Sequence, residues 1–97
     1  MRLRVVYSPR SECDLVKIRA WIAKDSGSAF VSDRFIRELL DACDSLEVLP
    51  ERFPVYPRSR RWRMMPQGNY LVFFQIHGDE IRIGHIRHGA RRPFGGV

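Results

Sequence analysis

The chain opens on a period of two. Between Arg2 and Tyr7, Leu3, Val5 and Tyr7 fall on one side and Arg2, Arg4 and Val6 on the other, which predicts a strand with one polar face. Ser8-Pro9 ends it and predicts a helix start: a serine hydroxyl can accept from the free amides of a first turn, and proline there forfeits no hydrogen bond. Glu12 and Asp14 fall where the helix dipole favours acids. Leu15, Ile18 and Ile22 follow at helical spacing beside Trp21, whose expected place is the core, and Asp25-Ser26-Gly27-Ser28 breaks the helix.

A second helix is expected from about Ser28 to Val48. Val31, Phe35, Leu39, Ala42 and Leu46 make a stripe that Ile36, Leu40 and Cys43 widen, while Asp33, Arg34, Arg37, Glu38, Asp41 and Asp44 take the other side. The short break between the two helices predicts an antiparallel hairpin. Prolines 50 and 54 stop the second helix and begin the one long connection, to about Ser59.

Three strands are expected after it. Trp62–Met65 ends at the turn Pro66-Gln67-Gly68-Asn69. Tyr70–Ile76 is nearly continuous in apolar and aromatic residues, as a central strand is. After the turn at residues 77–80, Glu80–His88 alternates Ile81, Ile83, His85 and Arg87 against Arg82, Gly84, Ile86 and His88. That alternation puts Arg82 and Arg87 out of phase, while Arg61 and Arg63 share a face of their own strand. The order β-α-α-β-β-β predicts an α+β fold: an antiparallel sheet, made of a three-stranded meander with the N-terminal strand on its edge, and a helical hairpin across one face.

Ninety-seven residues allow one domain, 1–97, with residues 89–97 read as a flexible tail. No apolar run reaches the ~18 residues of a membrane span, and the N-terminus has no signal-peptide core, so the expected compartment is the cytoplasm, with no membrane partner. The net charge of +6 is unevenly placed. Residues 1–48 hold 8 basic and 8 acidic side chains, whereas residues 49–97 hold 9 arginines against 3 acids. Arginine suits carboxylates, phosphates and acidic protein surfaces. The candidate binding set is therefore Arg58, Arg60, Arg61, Arg63, Arg82, Arg87, His88, Arg91 and Arg92, with Trp21, Trp62 and Phe53 as possible aromatic anchors.

No phosphate-binding glycine loop and no metal-protease motif is present, and Cys13 and Cys43 lack zinc-site spacing. No cofactor and no metal is expected, and the cysteines are expected to be buried thiols that can face each other across the hairpin. Histidine trades protons near neutral pH, but His85 and His88 lie three apart and point to opposite faces unless the strand bulges. His77, in a turn, is expected to be solvated.

The ordered pieces resemble a known family. The opening strand with Ser8-Pro9 and Asp14-Leu15-x-x-Ile18, the segment Leu46-x-x-Leu49-Pro50-Glu51-Arg52-Phe53-Pro54, the meander Pro66-x-Gly68-Asn69-Tyr70-Leu71-Val72-Phe73-Phe74 and the close Ile81-x-Ile83-x-x-Ile86-x-His88-Gly89-Ala90-Arg91-Arg92 are similar to ParE/RelE toxins of type II toxin–antitoxin pairs. The last segment resembles the ParE branch most. The resemblance covers almost the whole chain. It implies a compact toxin neutralised by a cognate antitoxin with an acidic or amphipathic arm.

Two mechanisms diverge within that family. ParE-like members inhibit DNA gyrase; RelE-like members cleave ribosome-bound mRNA. RNA cleavage needs a base, an acid and cations at the phosphate. RelE-like toxins place an arginine in the central strand, a second after the last strand, and a tyrosine or histidine near the C-terminus. Here the central position is Leu71, Arg91 can serve as the second arginine, and Phe94 stands where the tyrosine is expected. Arg91, His88 and His85 are the only candidates for catalysis. The reading is thus a ParE-like, non-enzymatic gyrase inhibitor, with a RelE-like endoribonuclease as the alternative. A basic nucleic-acid-binding domain comes third, because no strand interleaves stacking aromatics with cations.

Overall fold

A computed structural model describes residues 3–89. Strand β1 (Arg4–Tyr7) leads into helix α1 (Pro9–Ser26) and helix α2 (Ala29–Asp44), followed by strands β2 (Arg63–Gln67), β3 (Tyr70–His77) and β4 (Glu80–His88). The sheet order is β1-β4-β3-β2. The meander is antiparallel, and β1 runs parallel to β4, from Arg4 opposite Glu80 to Tyr7 opposite Ile83, so the sheet is mixed. A β1 that reaches its partner through two helices can lie in this direction, as a tight hairpin cannot.

The boundaries follow local chemistry. Ser8 caps α1 by accepting from the Ser11 amide, Pro9 occupies the first turn, and Gly27 closes the helix. Ser28 caps α2 by accepting from the Val31 amide. The α2 helix ends at Asp44, earlier than its apolar stripe, and a 3-10 turn at Ser45–Glu47 still carries Leu46 into the core. Both hairpins are tighter than the sequence suggests. Pro66 and Gln67 remain in β2, and the turns are Gly68-Asn69 and Gly78-Asp79, each with a positive-φ glycine first.

The core lies between the helical hairpin and one face of the sheet. Ile18, Leu39, Cys43 and Leu46 meet Met65, Tyr70, Val72, Phe74, Ile81, Ile83 and Ile86, with Leu3, Val5 and Tyr7 packed against them. Three residues depart from expectation. Trp21 is 48% exposed, because the packed side of α1 is the Ser11, Leu15, Ile18 and Ile22 side and Trp21 lies off it. Val31 is 45% exposed, and its neighbour Ser32 is buried instead, donating its hydroxyl to the Arg19 carbonyl at 2.6 Å. Small, hydrogen-bonded Ser32 lets the two helices approach closely. Cys13 is exposed, whereas Cys43 is buried beside Tyr7. Burial there holds the Tyr7 hydroxyl well above its ordinary range and pushes the Cys43 thiol up to about 11, so Cys43 is an inert thiol.

Strand β4 changes phase at Gly84. Phe74 pairs with Ile83 and Phe73 with His85, which leaves Gly84 as the extra residue of a bulge. Ile81, Ile83 and Ile86 therefore all enter the core, and Arg82, His85 and Arg87 all take the opposite, outer face, across from Gln75, Phe73 and Leu71. The strict alternation expected for Glu80–His88 does not hold, and Arg82 and Arg87 are in phase rather than out of it. The bulge sits where β1 stops, and α1 takes over as the strand's neighbour. The Ser8 hydroxyl donates to the Gly84 carbonyl at 2.7 Å, and the Asp14 carboxylate accepts from the Ile86 amide at 2.9 Å.

Candidate functional site

The outer face of the sheet is built around Phe73. Its ring is 1% exposed although no helix covers it. His85 stacks on it at 4.6 Å between centroids, and Tyr56 meets it edge-on at 5.0 Å. Trp62 closes the group edge-on to His85 at 5.1 Å. Gly84 makes room for Trp62: a Cβ there would stand 2.2 Å from the indole ring.

The long connection forms this cover. Val55 pairs with Arg63 in an antiparallel bridge, the Tyr56 amide donates to the Trp62 carbonyl at 2.7 Å, and the Met64 amide donates to the Pro54 carbonyl at 3.1 Å. Inside this loop the Ser59 amide donates to Tyr56 and the Trp62 amide to Ser59, so residues 57–61 form a pinned turn. The structural reason is satisfaction of backbone groups: a segment lying over a sheet must pair its own amides.

The arginines divide by partner. Arg63 is structural. It sits on the core side, opposite Phe74, and donates to the Phe53 carbonyl at 2.7 Å, tying β2 to the connection. Arg61 lies in the turn before β2, not on the strand with Arg63, and its guanidinium rests over the Trp62 ring at 5.9 Å. Arg82 pairs with Glu80, which Arg4 also engages at 2.6 Å. Arg58, Arg60 and Arg61 have no carboxylate partner among the described residues. Arg87 shares the outer face with His85. Arg91, Arg92 and Phe94 lie outside the described residues, as does the expected tail from Ala90 onward; Gly89 is tied to the Asn69 carbonyl at 2.6 Å.

The histidines do not converge. The bulge at Gly84 precedes both His85 and His88, so they remain on opposite faces, His85 on Phe73 and His88 edge-on to Tyr70 at 5.0 Å. Burial pushes His85 down to about 4; the Arg10 and Arg87 guanidiniums add to the fall and Asp14 opposes it. At neutral pH it is an uncharged ring, far from the pKa near 7 that suits proton transfer. His77 is exposed and shares a hydrogen bond with Gln75 at 2.9 Å. No cluster of three metal-ligating side chains occurs among the described residues. No helix among them is long and apolar enough to cross a membrane.

Sequence reasoning missed Tyr56, Phe73 and Arg10 as parts of this face. One signal was available for the bulge: Ile81-x-Ile83-x-x-Ile86 breaks its own alternation, and the extra residue is a glycine. Arg10 carried no signal, since its approach to His85 depends on where α1 docks.

Comparison with known proteins agrees with this architecture. A family model, the ParE toxin of the type II toxin–antitoxin system parDE, matches residues 5–93. Among solved structures, the chromosomal ParDE toxin–antitoxin system from P. aeruginosa superposes with a TM-score of 0.79 at 14% identity, covering 90% of this chain and 96% of that one. The RelBE2 toxin–antitoxin complex from Mycobacterium tuberculosis superposes at 0.69 and 15% identity, covering 91% and 99%. At such identities the likeness is one of fold. No curated protein matches in sequence. The family model spans nearly the whole chain, strands and helices included, and this chain belongs to the ParE toxin family of type II toxin–antitoxin systems.

Proposed function

We propose that this chain acts by binding a protein, DNA gyrase, rather than by cutting RNA, and that a cognate antitoxin neutralises it. The observation that carries the reading is the packed outer face of the sheet. A ribonuclease needs that open surface to gather a base, an acid and cations around one phosphate. Here its centre is Phe73, shut in by Tyr56 and His85. The central strand contributes Leu71, Phe73, Gln75 and, at its far end, His77 to that face, and no arginine or lysine. His85 is uncharged, and His88 is across the sheet from it. Family membership supports a toxin with a gyrase target.

Two assays on the purified protein test this. In the first, gyrase supercoils relaxed plasmid in the presence of increasing amounts of the chain; in the second, a translation extract is probed for cut message. Slowed supercoiling with intact message is the expected result. Message cut at codon boundaries with normal supercoiling overturns the proposal in favour of a nuclease. Tight, salt-steep binding to naked DNA with neither effect favours the simple nucleic-acid binder.

A further inference from the structure

A depression of about 500 Å³ runs along the solvent side of α2. Half-buried Ile36 and Leu40 give it an apolar lining, and its charged lining is mixed, Arg19 and Arg37 against Asp33, Asp41 and Asp44. Arg19 is taken by Asp33 at 2.8 Å, whereas Arg37, Asp41 and Asp44 have no ion-pair partner among the described residues. Phe30 falls on the same stripe, since 30, 33, 37, 40, 41 and 44 recur at helical spacing, and it is 73% exposed. The charges of α2 also oppose its own dipole. No acid stands in its first turn and no base in its last, and Asp41 and Asp44 occupy the C-terminal end, where carboxylates are unfavourable.

We infer that this stripe is an interface between two copies of the chain, α2 packed antiparallel on α2 about a twofold axis near residue 35. One midpoint answers every feature of the stripe. It sets Phe30 over Leu40 of the second copy, an exposed ring over an apolar depression, and Arg37 over Asp33 of the second copy; the twofold repeats both contacts. It also brings Asp41 and Asp44 beside the N-terminal end of the other α2, which has no acid of its own and attracts carboxylates. Charge selects the occupant. Two cations and three carboxylates nearly balance along the depression, so neither an acidic nor a basic partner is favoured, whereas the stripe complements itself when reversed. The contact lies on the helices, away from the packed outer face of the sheet, and depends on neither gyrase nor an antitoxin.

The test is sedimentation velocity on the whole chain alone, from about 1 µM to about 500 µM, a span that brackets a small interface. A monomer–dimer equilibrium is expected. Phe30→Ser should weaken it at least about tenfold, as loss of an aromatic anchor does. Arg37→Glu and Asp33→Lys should each weaken self-association at least about tenfold, because each sets two like-charged pairs across the twofold. Mixed in equal amounts, these two variants should associate to within about threefold of the parent, since the mixed dimer has both opposite-charge pairs restored. Arg60→Glu, on the turn before β2, changes the net charge as Arg37→Glu does and should leave the equilibrium as it was. The substituted side chains are exposed and the Arg19–Asp33 pair is a surface one, so the variants should keep the fold, which circular dichroism checks. Three results overturn the inference: a monomer at every concentration, a dimer that Phe30→Ser leaves as tight as before, or a mixture no tighter than its two components. Failure to inhibit gyrase would leave these measurements untouched, because no sample contains it.

Discussion

Both faces of the sheet bury a phenylalanine from the same strand, Phe74 inward and Phe73 outward, and both rings are nearly inaccessible. The surroundings differ. Phe74 lies among the isoleucines of β4 under two helices, with Phe53 edge-on at 6.3 Å. Phe73 lies under a loop, stacked on an imidazole and edged by a tyrosine. The centre of the inner face is apolar, with Arg63 and His88 at its margins, and it is fixed by elements that span the molecule. The outer face mixes aromatic rings with arginines and is fixed by a turn. Equal exposure therefore conceals unequal construction: one face holds the fold, and the other combines packing with display of charge.

The sharpest way to break this comparison is to truncate the two rings in turn. Phe74→Ala should cost about 3–5 kcal/mol, a large part of a typical stability of ~5–15 kcal/mol. Phe73→Ala should cost at least about 1 kcal/mol less, because a loop can collapse into the space and water can enter from outside. Urea denaturation of both variants measures the difference; equal losses would mean that the loop is as rigid as the helices.

Gly84→Ala should cost about 1–3 kcal/mol, since its new Cβ meets the Trp62 ring and the indole must leave. The fluorescence of Trp62 should shift to the red over a background from the exposed Trp21. An unshifted spectrum would place the Trp62 ring elsewhere.

A smaller effect separates the faces by pH. His85 is neutral down to about 4 in the folded chain, against an ordinary value of 6.5. Between those values the unfolded chain binds the extra proton. The stability contributed by the neutral ring is thus complete above pH 6.5 and lost as pH falls toward 4, by on the order of 1–2 kcal/mol once solvent screening of a half-buried group is allowed for. His85→Phe keeps the stack and should flatten that part of the profile. An unchanged slope in the variant would assign the acid sensitivity to other groups.

The smallest effect lies off both faces. Leu49 holds a left-handed conformation, φ +50°, while 69% exposed. Arg52 fastens it through hydrogen bonds to the Val48 and Leu49 carbonyls. Leu49→Asn should stabilise the chain by up to about 1 kcal/mol, because asparagine enters this region more easily and little buried area is lost. A lower melting temperature would show that the exposed leucine packs better than its exposure suggests.

The elements were legible because their signals are local. Ser8-Pro9 and Ser28 act through amides three residues away, and the Leu39, Cys43 and Leu46 stripe expresses helical period alone. The candidate binding set was only partly legible. Arg58, Arg60 and Arg61 stand on one turn as a cluster, but Arg63, identical in type, is consumed by the Phe53 carbonyl. A guanidinium committed to the fold and one left unpaired look the same in a sequence.

What the sequence determined by itself is the order β-α-α-β-β-β, the helical stripes, the arginine excess of the second half and the resemblance to the ParE family. What only the tertiary structure decided is which residues share a face. One extra residue at Gly84 reverses the parity of everything after it, bringing Arg82, His85 and Arg87 together and sending Ile86 into the core. Likewise the cover over Phe73 and the direction of β1 depend on partners far along the chain. Periodicity is a property of neighbours, whereas register and docking are settled by distant groups satisfying one another's hydrogen bonds and filling one another's space.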